Sequence, residues 1–155
     1  MIVEYELSEP LSLNNSWIIG NIKHAGFYRV NYDTTNWKSL ISQLKDNHSK
    51  IDSISRAQLI DDLFNIGKAK IGETTQLKFL ELIEYLKKED DPLVFIAAFY
   101  SLDYISEMLV TNDAVFEDFK VFLYSLFVAI FLKNGNHNLI KIKLVIRVKN
   151  YDLTF

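Results

Sequence analysis

The sequence predicts a mainly α-helical protein: a bundle or helix-pair solenoid of about five helices, preceded by a short antiparallel β segment. Three observations carry this. The apolar residues alternate with period two up to Asp33 and follow a period near 3.6 after it. Helix-capping residues stand at the starts of the apolar-periodic stretches. The 155 residues are 49% hydrophobic, enough for a core rather than a disordered chain. A compact body of this length hides roughly 69% of its unfolded surface.

Ile2, Val3 and Tyr5 begin an alternation that Pro10 ends, and Trp17 to Ile22 is a second apolar run. Lys23-His24-Ala25-Gly26 reads as a turn. Tyr28, Val30 and Tyr32 then face one way, with Arg29 and Asn31 on the other. Strands are therefore expected near 17–22 and 27–32. An isolated hairpin is marginal in water, so these strands call for a sheet supplied by something else. Tyr28, Val30 and Tyr32 are expected to bury into that sheet, and Arg29, Asn31 and Asp33 to tie it to the first helix.

Trp37, Leu40, Ile41 and Leu44 fit one helical face, with Asp33 or Thr34 as the cap. A second helix is expected from about Ser55 to Lys68 and a third from about Thr75 to Lys88. The fourth carries the clearest start: Asp91 caps, Pro92 takes the first helical position, and the apolar stripe runs to Leu109. A fifth begins at Asp113 and carries Phe116, Phe119, Leu123 and Phe127. No residue signature recurs at a fixed period, so no repeat family is indicated.

Residues 1–120 hold 12 basic and 19 acidic groups, whereas 121–155 hold 5 and 1. Within the last stretch, Ile140, Ile142, Leu144, Ile146 and Val148 alternate with basic residues. This divides the chain into 1–33, extended; 34–127, helical; and 128–155, an atypical tail.

The net charge of −3 argues against a nucleic-acid binder. The longest apolar run, Val121 to Leu132, is short of the ~20 residues of a membrane span. The chain is thus expected to contain no span and to be soluble or a soluble piece of something larger. No signal peptide is visible at the start. Without cysteine there is no disulfide, thiolate ligand or cysteine nucleophile.

His24, His48 and His137 are the only imidazoles, and none has a second His at helical ligand spacing, so H-E-x-x-H is absent. They read as surface or turn residues, so no metal site and no cofactor are expected in this chain. No nucleophile elbow or phosphate-binding glycine loop is present. Asp61-Asp62, Glu89-Asp90-Asp91 and Glu117-Asp118 are carboxylate pairs, but adjacent helical residues diverge by about 100° and make no facing dyad. Glu89-Asp90-Asp91 reads as capping and solvation of the next helix. Arg56 near Asp61-Asp62 reads as an ion pair within or between helices. Asn14-Asn15-Ser16 and Asn47-His48-Ser49 are glycosylation sequons in loop or helix-end positions.

Trp17-Ile18-Ile19-Gly20-Asn21 and Gly26-Phe27-Tyr28-Arg29-Val30-Asn31-Tyr32-Asp33 resemble strands of the aminopeptidase N type of zinc metallopeptidase, the gluzincins. There a W-I-x-x-N strand and a G-x-Y-R-V-N-Y-D strand end a β-sandwich and lead into a helical C-terminal domain of the endoplasmic-reticulum-aminopeptidase-like kind. Asn36-Trp37, Gln43-Leu44 and Arg56-Ala57-Gln58-Leu59-Ile60-Asp61-Asp62-Leu63-Phe64 fit the same pattern. In the helix from Pro92, Phe95 stands where the family usually has Trp. The resemblance covers 17 to about 127, and it implies that 1–33 holds the terminal strands of a β-sandwich domain and 34–127 a truncated helical C-terminal domain.

The resemblance implies a fragment of a large exopeptidase that removes N-terminal residues from peptides. The family's H-E-x-x-H zinc motif, more distant Glu ligand, G-x-M-E-N amine site and transition-state tyrosine have no counterpart here. No catalytic or metal residue is therefore assigned, and zinc belongs to the full-length family rather than to this chain. The family motif falls on Trp17, Gly26, Tyr28, Arg29, Asn31, Tyr32, Asp33, Arg56, Asp61 and Asp62, all read as structural. The implied partners are the catalytic and β-sandwich domains, with peptide as substrate. The helical part would cap the catalytic chamber. A free-standing helical module binding a peptide or protein is the alternative reading. The family admits both membrane-anchored ectodomains and cytoplasmic enzymes.

Overall fold

The computed structural model describes residues 16–71 and 76–134. The N-terminal residues 1–15, which include Ile2, Val3, Tyr5 and Asn14, lie outside the described residues, as does 135–155.

Among the described residues five α-helices follow one another: α1 (Thr34–Asn47), α2 (Ser53–Lys68), α3 (Gln76–Ile83), α4 (Pro92–Leu109) and α5 (Asp113–Asn134). Short 3-10 turns occupy Ile22–His24, His48–Lys50 and Glu84–Lys87. The protein is mainly helical, as the change of period predicts.

Each start is set by a short side chain that accepts a free backbone N–H. Asp33 accepts from Asn36, and Asp91 accepts from Leu93 just ahead of Pro92. For α2 the cap is Asp52, which accepts the Ser55 amide at 3.0 Å and the Ser55 hydroxyl at 2.7 Å. The helix thus begins two residues before the expected Ser55. The third helix is shorter than expected. Beyond Ile83 the winding tightens to a 3-10 turn, with Lys88 and Glu89 amides donating to the Tyr85 and Leu86 carbonyls.

Alternate helices stack. The most extensive packing joins α2 to α4, followed by α2 to α3, and α1 also meets α3. This is the order expected when helix pairs are laid on one another. Trp37, Leu40, Leu44, Leu63, Phe79 and Leu86 are fully buried in one continuous core. By length and composition α4 is apolar enough to cross a membrane, yet its inner face, with Val94, Ala98 and Leu102, lies in that core. The boundary expected at Phe127 falls inside α5, and Ile130 is buried with the rest of the helix's inner face.

Residues 16–33 contain no strand. The pairing expected between 17–22 and 27–32 is not formed, because the backbone donors there are taken by side chains. The Ile18 amide donates to Asn36 Oδ1 at 2.8 Å, Gly20 to the Tyr32 hydroxyl at 2.8 Å, and Val30 to Asp62 Oδ2 at 3.1 Å. A strand forms where a neighbouring ladder offers carbonyls and amides; here the helices α1 and α2 offer side chains instead.

Candidate functional site

The family-motif residues other than Arg56 converge on the seam where segment 16–33 lies against α1 and α2. Asn21 organises the first half. It sits in the left-handed region at φ 52°, which Asn tolerates better than most side chains. Its Oδ1 accepts the Gly26 amide at 2.6 Å, and its Nδ2 donates to the Gly26 and Tyr28 carbonyls, both at 2.9 Å. These bonds close the bend. Gly26 is the point of close approach, since an added Cβ would lie 2.3 Å from Tyr28 Cε1.

The second half is fastened to both helices. Trp17 donates its indole N–H to Gln43 at 3.2 Å. Asn31 accepts the Trp37 indole N–H at 3.0 Å, and the Tyr32 ring meets Trp37 edge-on at 5.0 Å. Asn36 Nδ2 returns a bond to the Ile18 carbonyl at 2.9 Å. Asn31 and Asp33 therefore reach α1, while Arg29 reaches α2: its Nη1 pairs with Asp61 and lies 3.1 Å from Asp62 Oδ1.

Asp62 is buried and accepts from Val30, Arg29 and Gln58. Burial raises its pKa, outweighing those three donors. Burial also pushes the Tyr32 phenol up to about 12, against the bond from Gly20 and with help from the Asp62 charge. For Arg29, burial works against the charge, but Asp61 and Asp62 more than offset it and raise its pKa. Asp61 also accepts from Asn65 at 2.9 Å. The arrangement is a clasp: two adjacent carboxylates on α2 hold one guanidinium and one backbone amide of the preceding segment.

Arg56 does not join that clasp, although the sequence places it close to Asp61-Asp62. It turns instead to Glu89, with Nε donating to Oε2 at 2.7 Å and Nη2 to Oε1 at 2.8 Å. Nη1 donates to the Ile51 carbonyl at 2.5 Å. Glu89, expected in solvent, is fully buried. Its Oε1 also accepts the Asp90 and Asp91 amides, and its Oε2 the Tyr85 hydroxyl. Burial would raise the Glu89 pKa, but Arg56 and the two amides prevail and lower it. Burial raises the Tyr85 phenol strongly, and the Glu89 charge adds to this.

One group has the makings of a metal site. Ligand atoms of His48, Glu89 and Asp90 lie within 4.8 Å of one another. The chemistry does not fit a cation. Both Glu89 oxygens are already taken by donors, Oε1 by Arg56 and the Asp90 and Asp91 amides, Oε2 by Arg56 and the Tyr85 hydroxyl. His48 Nε2 stands 3.8 Å from Asp90 Oδ1, which makes a loose ion pair at most.

Sequence reasoning gave no role to Asn21, Asn36 or Gln58, and read Glu89 as a helix-capping residue without its partner Arg56. Asn21 and Asn36 lie within the quoted family stretches, but nothing local announces their partners. Glu89 and Arg56 are 33 residues apart, so no spacing rule links them.

A segment clasped to stacked helices by charge pairs and hydrogen bonds defines a helical scaffold domain. Residues 17–141 match the family described as the ERAP1-like C-terminal domain. The chain belongs to that family, the helical C-terminal domain of aminopeptidase N-type proteins. It is similar to the thyrotropin-releasing hormone-degrading ectoenzyme of Mus musculus, 42% identical over 107 residues, covering 67% of this chain and 10% of the relative. Aminopeptidase N of Plutella xylostella is 37% identical over 112 residues, covering 71% of this chain and 12% of the relative. Human aminopeptidase Q is 37% identical over 123 residues, covering 79% and 12%. The chain spans about a tenth of the length of the relatives it matches.

Proposed function

We propose that this chain is the non-catalytic C-terminal part of a zinc-dependent aminopeptidase, and that its helices cap the chamber in which a peptide loses its N-terminal residue. The observation that carries this is the unfinished surface of segment 16–33. Ile22 is 62% exposed, Tyr28 59%, and Phe27 is wholly exposed, next to backbone that forms no strand. Several large apolar side chains exposed within one short segment mark a surface that another body covers. A β-sandwich supplied by the longer protein would cover these residues and pair their backbone, which completes the short antiparallel segment. The relatives' names, two aminopeptidases and a hormone-degrading ectoenzyme, support peptide as the substrate class.

On this reading zinc is held by a catalytic domain outside these residues, where it polarises the scissile carbonyl. This chain's own contribution is steric and electrostatic. The stacked helices exclude folded chains and bulk water, and the Arg29–Asp61–Asp62 clasp fixes their angle to the preceding domain.

A chimera tests the proposal. Residues 17–134 replace the corresponding stretch of Plutella xylostella aminopeptidase N. The expected result is retained release of N-terminal residues with an altered preference for peptide length. The isolated 155-residue chain should release none, with or without added zinc. A folded chimera as inactive as a deletion of the same stretch, or zinc-dependent release by the isolated chain, would overturn the reading.

A further inference from the structure

We propose that Asn47 is a competent acceptor of an N-linked oligosaccharide, carried at the C-terminal end of α1. The sequence Asn47-His48-Ser49 has the required spacing. The fold then presents it. Asn47 leaves the helical conformation at φ −147° and ψ 92°, and it is exposed together with Ser49. Its Oδ1 accepts the Ser49 amide at 3.1 Å, so the side chain and the third sequon residue are held in one tight turn. The Asn47 carbonyl accepts from Gln43 Nε2 at 2.8 Å, which anchors the backbone behind the turn.

Among the described residues Asn47 Nδ2 donates no hydrogen bond, so modification there breaks no contact. The residue between, His48, points away: it is half-buried, near Tyr85 at 6.2 Å and Asp90. Nearby Lys45 is paired with Glu84 and leaves the turn uncovered. A large hydrophilic group fits at such a site and nowhere disturbs the core.

The donor is an oligosaccharide activated as a polyprenyl pyrophosphate ester. The Nδ2 lone pair attacks the anomeric carbon and an N–C bond forms. The C–O bond to the pyrophosphate breaks, and the lipid pyrophosphate leaves with the electron pair. One Nδ2 proton passes to a base of the transferase. The product is a neutral secondary amide.

The inference does not depend on the capping role, and its test reads a mass rather than an activity. The full chain is translated behind a cleavable leader in the presence of endoplasmic-reticulum microsomes, and the leader-cleaved, protease-protected fraction is measured. N14Q removes the other sequon. The N14Q chain should carry one glycan, seen as a discrete mass increase that peptide N-glycosidase removes, leaving Asp at position 47. S49A added to N14Q should abolish it while keeping the Asn47–Ser49 turn, whose donor is the backbone. S49T added to N14Q should retain it. Helical circular dichroism should be unchanged after the glycan is removed. A protected N14Q chain that is wholly unmodified, or a modification that survives S49A, would overturn the proposal.

Discussion

Arg56 and Glu89 meet at two points in the core, Nε to Oε2 at 2.7 Å and Nη2 to Oε1 at 2.8 Å. The side chains are 7% and 0% exposed. This pair ties the first turn of α2 to the residue that leads into α4, and α2 and α4 form the most extensive helix contact in the molecule. The Glu89 carboxylate also gathers the Asp90 and Asp91 amides immediately ahead of α4. One buried anion thus aligns a helix start and neutralises a cation.

Truncating one partner strands the other. Arg56→Met leaves a buried carboxylate, and breaking such a pair costs about 3–5 kcal/mol. Replacing both, Arg56→Met with Glu89→Leu, should recover a large part of the loss. Urea unfolding followed by circular dichroism measures both. A single substitution as mild as the double one would show that the pair does not act as a unit.

Acid stability should carry opposite signals from two carboxylates. Glu89 has a folded pKa below its ordinary 4.5. Its contribution is present above pH 4.5 and is lost as the pH falls through the lower folded value. Asp62 has a folded pKa above its ordinary 3.8. The folded state therefore binds that proton more readily, and the Asp62 contribution weakens as the pH rises from 3.8 through the folded value. Glu89→Gln should flatten the loss of stability in acid, whereas Asp62→Asn should steepen it. Unfolding midpoints between pH 3 and 7 read both slopes.

Trp37 joins the core to the preceding segment. It is fully buried, lies edge-on to Tyr32 and donates to Asn31. Trp37→Ala should cost about 3–5 kcal/mol, from the lost burial of the ring together with the cavity it leaves. Trp37→Phe should cost less, but it should speed amide exchange in residues 30–33. Hydrogen exchange that is unchanged there would separate Trp37 from the fastening of the segment.

At the bend, the two small-residue positions should respond differently. Asn21→Ala loses three hydrogen bonds and puts a less tolerant residue at φ 52°. Gly26→Ala meets the Tyr28 ring, an exposed side chain able to swing aside, and Asn21 Oδ1 at 3.2 Å, which has to give by a few tenths of an ångström. The Gly26 change should cost under about 1 kcal/mol and the Asn21 change more, in line with lost hydrogen bonds of about 1 kcal/mol each. Thermal unfolding of the two variants gives the order directly.

The helices were legible in the sequence because their causes are local. The spacing of Trp37, Leu40, Ile41 and Leu44 dictates one buried face, and all four are buried. Asp33 and Asp91 cap where short oxygens precede free amides, and Pro92 marks a start within its own residue. The family motif was legible too, and Asn31 and Asp33 were expected to reach the first helix, as they do. Tertiary structure alone sends Arg29 to α2. Period-two alternation at Tyr28, Val30 and Tyr32 states a capacity for strand, but a strand exists only beside a partner ladder; with none among the described residues, the Val30 amide goes to Asp62 instead. Arg56 had Asp61 and Asp62 close in sequence and took Glu89, 33 residues away. Chain proximity does not rank partners for a charge that must be buried. The winner is the carboxylate that the packed helices bring within two hydrogen bonds.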